Sequence, residues 1–212
     1  MSKLEKEDEP SLPGHQNDND GENDRKRDSE LVEAALFHKR IVMITGQIND
    51  KLARAATERL LALASTSDEA INVFISSPGG HVESGDMIHD VIRFIKPNVN
   101  TIGSGWVASA GALIFIAAPR ERRLCLPNTR FLIHQPAGGV GGNASEIAIQ
   151  AEQISQMRQR FNRIFADATG QTPERIAEDT KRDFWLSTSE ALSYGLLGSV
   201  IHSQSELETL TK

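Results

Sequence analysis

Three side chains in this sequence have the chemistry of acyl transfer. Ser109 lies in Gly103-Ser-Gly-Trp-Val-Ala-Ser-Ala-Gly111, and its small neighbours leave room for a second chain to approach the hydroxyl. In the first turn of a helix, such a serine would sit in a field that favours developing negative charge. It would equally serve as a cap or as a small residue in tight helix packing. His134 ends the apolar run Phe131-Leu132-Ile133, which would deliver one imidazole to a sheet edge. The same pattern fits a satisfied core histidine. Asp183, in Lys181-Arg182-Asp183, could orient an imidazole or be a solvated surface charge. The chain order serine, histidine, aspartate matches none of the three common triad orders, so spacing alone leaves the question open.

Two glycine-rich segments could present backbone donors. Pro78-Gly79-Gly80 stands between an expected strand and an expected helix, where amides can face an anion. It lacks the spacing of a dinucleotide fingerprint and the lysine-serine pair of a phosphate loop, and a tight turn explains it as well. The run Pro136-Ala-Gly-Gly-Val-Gly-Gly142 reads as a flexible loop or as backbone left open for another chain to pair with. The six histidines and the single Cys125 show no metal-ligand spacing, so neither a metal nor another cofactor is expected.

Alternating strands and helices must position these groups. Strands are expected over Arg40 to Thr45, Ile71 to Ser76, Asn100 to Ser104, Arg123 to Leu126 and Arg130 to His134. Asn49 or Asp50 can cap a helix carrying Leu52, Ala56, Leu60 and Leu63 on one face. A second helix runs from about Glu83 to Pro97, and a small-residue helix from about Val107. Asn143 with Glu146 three residues on signals a long helix to about Thr169, with Ile147, Ile154, Phe161 and Ala168 in one row. Short helices are expected from Pro173 and from Ser187 or Thr188. Strands alternating with helices indicate an α/β layer fold.

Composition narrows the class. The longest apolar stretch, Trp106 to Ala118, is too short to span a bilayer. A lone cysteine excludes an internal disulfide and suits a reducing, cytoplasmic compartment. A net charge of −6 without a basic tract argues against nucleic-acid binding. Residues 1–30 hold ten acidic and five basic side chains and almost nothing apolar, so they are expected to form a disordered tail and no signal peptide. One domain is expected over 31–204, followed by a C-terminal tail over 205–212.

From about residue 40 to 202 the sequence closely resembles the proteolytic subunit of the Clp protease (ClpP). The matching pieces are Thr45-Gly46-Gln47, Ser77-Pro78-Gly79-Gly80, Phe94-Ile95-Lys96-Pro97 and Ala108-Ser109 before Gly111. They continue with Cys125-Leu126-Pro127-Asn128, Ile133-His134-Gln135-Pro136, Gly170-Gln171, Asp179-Thr180 with Arg182-Asp183, and Tyr194-Gly195-Leu196. The resemblance implies the ClpP/crotonase-like spiral of strand-strand-helix units with a protruding handle helix. It implies Ser109 as nucleophile, His134 as general base, Asp183 as orienting carboxylate, and the amides of Gly80 and Ala110 as oxyanion hole. A substrate strand would lie along Gly138, Gly139, Gly141 and Gly142. Glu146 and Arg182 fall where members pair charges between two stacked seven-membered rings. Phe74, Phe94, Ile102, Leu124 and Leu126 fall where members dock an AAA+ unfoldase.

Some positions depart from the family. The acidic tail replaces a short apolar-aromatic axial segment, Asn72 and Ser104 are polar where an aromatic residue or methionine is common, and Ala110 replaces a usual methionine. The implied activity is that of a serine endopeptidase cutting unfolded polypeptides to short peptides through an acyl-enzyme, fed by a separate ATP-dependent unfoldase. The alternatives are a catalytically silent ring subunit beside an active paralogue, or a crotonase-type acyl-CoA enzyme. The intact set Ser109, His134 and Asp183 disfavours both.

Overall fold

The computed structural model describes residues 18–136, 139 and 141–210. The chain divides into two units, Met1–Ala35 and Leu36–Lys212. The first contributes most of helix α1 (Asp18–His38). The helix takes in residues 18–30 of the tail expected to be disordered, and residues 1–17 of that tail lie outside the described residues. The composition that denies this segment a core still supports local helix.

In the second unit the elements are β1 (Ile41–Thr45), α2 (Asp50–Thr66), β2 (Ile71–Ser77), α3 (Val82–Phe94) and β3 (Val99–Ala108). There follow α4 (Ala110–Phe115), β4 (Arg123–Cys125), β5 (Arg130–Ile133), α5 (Ala144–Thr169) and α6 (Pro173–Asp179). The last four are β6 (Phe184–Leu186), α7 (Thr188–Tyr194), β7 (Ser199–Val200) and α8 (Gln204–Leu210). The sheet runs β1-β2-β3-β4-β7, all parallel, and forks at β3. Thr101 to Gly103 pair with β4, whereas Trp106 to Ala108 pair with β5, which in turn carries the antiparallel β6. Gly105, at φ +67°, sits at the fork, where the β2–β3 register shifts between Ile75 and Ser77. A side chain there would force a left-handed backbone at about 1 kcal/mol or more.

Helices α2 and α3 are amphipathic, and their buried residues (Ala53, Leu60, Leu63, Ile88 and Ile92 among them) join Val42, Ile44, Val73 and Ile75 in the main core. Arg40 fastens the end of α2. At φ +55° it aims its guanidinium at the carbonyls of Leu63, Ser67 and Glu69 within 3.1 Å, satisfying groups the helix cannot bond itself. Helix α5 opens on a capping box between Asn143 and Glu146 and closes on Gly170 at φ +76°. Among its residues none is buried before Phe161, so its first four turns project as the expected handle.

The other sheet face carries a smaller cluster in which Phe74, Ile102 and Leu124 are cross-strand neighbours on β2, β3 and β4. Ile201, which follows β7, and Leu207 of α8 close over it. The expected C-terminal tail is therefore largely an ordered helix, held because Leu207 buries its side chain, which is worth about 1.5–3 kcal/mol; residues 211–212 lie outside the described ones. No described helix is long and apolar enough to cross a membrane.

Candidate active site

The β3-β5-β6 branch aligns three strand ends. Ala108 is in register with Leu132 of the parallel β5, and the Ser109 N–H donates to Leu132 O at 2.9 Å. Ile133 is opposite Phe184 in the antiparallel pair β5-β6. Ser109 therefore leaves β3 beside the residue at which His134 leaves β5, and Asp183 enters β6 facing His134. His134 Nδ1 and Asp183 Oδ1 are 3.8 Å apart, an ion-pair spacing that a shift of about 1 Å would turn into a hydrogen bond. Backbone ties hold the two loops together: Gln135 N–H donates to Thr180 O at 3.0 Å. A cleft of about 490 Å³ opens between His134, Gln135, Thr180, Lys181, Arg182 and Asp183.

Ser109 is not within the first turn of a helix, as the sequence suggested. Strand β3 continues through Ala108 and α4 begins only at Ala110, which leaves Ser109 alone in the turn at φ 54° and ψ −119°. A non-glycine residue there stores about 1–3 kcal/mol of strain, which the surrounding structure must maintain. Its hydroxyl makes no cap bond, so the cap reading fails, and the residue is only partly buried between strand and helix. A sharp strand-to-helix turn of this kind lifts a nucleophile clear of the sheet.

The glycine turn supplies what the serine lacks. Gly79, at φ +96°, backs directly onto Ser109, and Ser77 Oγ accepts the Gly79 N–H at 3.0 Å while donating to Gly46 O at 2.7 Å. Gly80, at φ +151°, approaches Ile48 so closely that a β-carbon would overlap Ile48 O. Among the described residues neither the Gly80 N–H nor the Ala110 N–H, the first of α4, has a hydrogen-bond acceptor. Free amides at a helix start and a glycine turn are the donors an oxyanion hole needs. Sequence reasoning singled out Gly80 and Ala110 but missed the parts of Gly79 and Ser77. The tetrapeptide Ser77-Pro78-Gly79-Gly80 carried that signal, yet only the backbone angles separate the two glycines.

Other expected positions are more scattered. Gly138 lies outside the described residues; Gly139 and Gly141 are exposed with open space around their α-carbons, and Gly142 is held at φ +134° against the Glu146 side chain. The Glu146 carboxylate accepts the Asn143 N–H at 2.9 Å, and no ion pair joins it to the exposed Arg182 within the chain. Phe74, Ile102, Leu124 and Leu126 share one cluster, but Ile102 and Leu124 lie under α8, and Phe94 stands apart at 81% exposure. The described residues contain no group of histidine, cysteine and carboxylates arranged to hold a metal ion.

Comparison with known proteins is consistent with this geometry. Residues 24–204 match the Clp protease family. The chain is 66% identical over 167 residues to an ATP-dependent Clp protease proteolytic subunit of Paracoccus denitrificans, covering 79% of this chain and 84% of the relative. It is 54% identical over 210 residues to subunit 2 of Gluconobacter oxydans, covering 98% and 94%. The solved structure of ClpP1 from Listeria monocytogenes superposes with a TM-score of 0.76 at 49% identity, over 83% of this chain and 99% of that one.

Proposed function

The chain belongs to the Clp protease family, and on that footing we propose that Ser109, His134 and Asp183 are the working triad of a serine endopeptidase subunit. The observation that carries the reading is the register of the β3-β5-β6 branch, which delivers all three residues to adjacent strand ends. In the reaction His134 Nε2 takes the proton of Ser109 Oγ as that oxygen adds to the scissile carbonyl. Asp183 holds Nδ1–H and stabilises the imidazolium. The carbonyl oxygen, now negative, accepts from the Gly80 and Ala110 amides. His134 then returns its proton to the leaving amine, and water, deprotonated by the same histidine, releases the acyl group from Ser109.

The substrate class is unfolded polypeptide, added as a strand beside Gly139 to Gly142. The partners are further copies of a Clp proteolytic subunit, stacked through α5, and a Clp ATPase. Two features support the assembly: Ile147 and Ile149 of α5 are 40% and 65% exposed, and Phe94 is an exposed aromatic on the rim of α3. A cytoplasmic location fits the single reduced cysteine.

The test is fluorogenic-peptide cleavage together with labelling by a fluorophosphonate, in wild type and Ser109→Ala. Labelling and turnover that both vanish in the variant support the triad. Turnover that persists in Ser109→Ala overturns it, and an assembled wild type that neither labels nor cleaves favours a silent ring subunit.

A further inference from the structure

Beside the glycine turn lies a polar cluster that the proposed reaction does not use. Ser84, buried on α3, donates from Oγ to Asp50 Oδ1 at 2.6 Å. His81 Nδ1 lies 2.8 Å from Ser84 Oγ and 3.2 Å from Asp50 Oδ1, and its Nε2 lies 3.1 Å from Glu83 Oε2. A serine hydroxyl has one proton, and Ser84 directs it to Asp50. The contact to His81 therefore runs the other way, with Nδ1–H donating to the oxygen. That direction excludes a second nucleophilic triad, because the imidazole cannot draw a proton from this serine. The bond from Ser84 also holds the Asp50 carboxyl below its ordinary range.

The cluster spans two segments far apart in sequence, and both touch the proposed oxyanion hole. Ile48 N–H donates to Gly79 O and His81 N–H donates to Ile48 O, each at 2.9 Å, so two backbone bonds flank Gly80. Gly80 itself bridges to Ile48. Asp50, the first residue of α2, is anchored by the Asn49 cap, whose Oδ1 accepts from Leu52 N at 3.0 Å. On the other side Gly85 N–H bonds His81 O at 3.1 Å, and the Gly85 α-carbon packs on Ala110 so that an added β-carbon would meet Ala110 Cβ at 3.1 Å. The first turn of α3 thus reaches both amide carriers, Gly80 through the chain and Ala110 through packing.

Resting on the triad reading, we propose that Asp50, Ser84 and His81 are positioning residues: a side-chain clasp between the starts of α2 and α3 that aims the Gly80 amide at the oxyanion. An oxyanion donor acts on the transition state, so displacing it lowers kcat while leaving ground-state binding alone. Loss of a whole donor costs about 10²–10³-fold in kcat. A loosened one should cost less, about 10-fold.

The experiment compares assembled wild type with Asp50→Asn, Ser84→Ala, His81→Ala and His81→Asn, using a fluorogenic peptide. Wild-type turnover that Ser109→Ala abolishes is established first; turnover independent of Ser109 would remove the site and the clasp with it. Ser84→Ala and His81→Ala should each lower kcat about 10-fold with KM within about twofold, at unchanged sedimentation. His81→Asn, whose amide N–H can replace Nδ1–H, should restore most of the loss. Unchanged kcat in Asp50→Asn, Ser84→Ala and His81→Ala together overturns the clasp. So does a loss shared with KM or with ring size, which marks a structural role, or a His81→Asn no better than His81→Ala.

Discussion

A β-carbon built on Gly79 would stand 2.6 Å from Ser109 Cβ and 3.1 Å from Ser109 Oγ. The backbone of one residue is thus the wall against which the other's side chain is set. Gly79→Ala must push Ser109 off its position while also straining a left-handed backbone. Peptide turnover should fall at least 100-fold, and the unfolding midpoint should drop. A variant with wild-type kcat would show that Ser109 does not need this wall.

Asp183→Asn should leave folding almost untouched, since the Asp183 side chain is 66% exposed, yet lower kcat about 10²–10⁴-fold. An amide facing His134 Nδ1 favours the tautomer that cannot accept the serine proton. Stopped-flow measurement of acylation separates this from slow product release. A rate within threefold of wild type would take Asp183 out of the mechanism.

Cys125, fully buried on β4, has its thiol pushed up to about 11 by desolvation, with a hydrogen bond from Thr129 opposing. The folded state favours the thiol and the unfolded chain releases its proton near the ordinary value of 9.0. This contribution is complete below pH 9 and is lost as pH rises towards 11, amounting to about 2–3 kcal/mol. Tyr194, also raised by burial, adds the same trend only above its ordinary 10.0, so pH 9 to 10 isolates the cysteine. Urea midpoints at pH 8 and 9.8 should diverge more in wild type than in Cys125→Ala; parallel shifts would refute the assignment.

Arg182 lines the cleft beside Asp183 and His134 and is exposed in the single chain. If it meets Glu146 of another copy, Arg182→Ala should yield single or loosened rings and lower activity, and high salt should act on wild type in the same direction. Sedimentation decides it: an unchanged double ring with full activity would sink the coupling.

Elements written in apolar periodicity were legible in advance. Helix α5 begins one residue after the expected cap Asn143 and ends at the expected Thr169, α6 starts at the expected Pro173, and of the two caps expected for α7, Ser187 and Thr188, the structure uses Ser187. The end of β3 was not. The expected strand stopped at Ser104, before Gly105, whereas pairing of Val107 with Ser77 of β2 and of Trp106 to Ala108 with β5 keeps the chain extended to Ala108. That pairing is long-range, and local propensity cannot reveal it. The same holds for Asp50, Ser84 and His81, which acquire meaning only when α2 and α3 meet. Helix α8 escaped because its single anchor, Leu207, gives no periodicity until Ile102 and Leu124 lie beneath it.

The backbone of Ser109, at φ 54° and ψ −119°, sets durability against turnover at one codon. Glycine would relax that turn and recover part of the stored 1–3 kcal/mol, roughly, less about 0.5–1 kcal/mol for the looser unfolded chain. Ser109→Gly should therefore melt no lower than Ser109→Ala while being equally inert. Any screen of this chain for thermostability alone would drift towards glycine there, and under the proposed mechanism it is selection on cleavage that holds the serine in place.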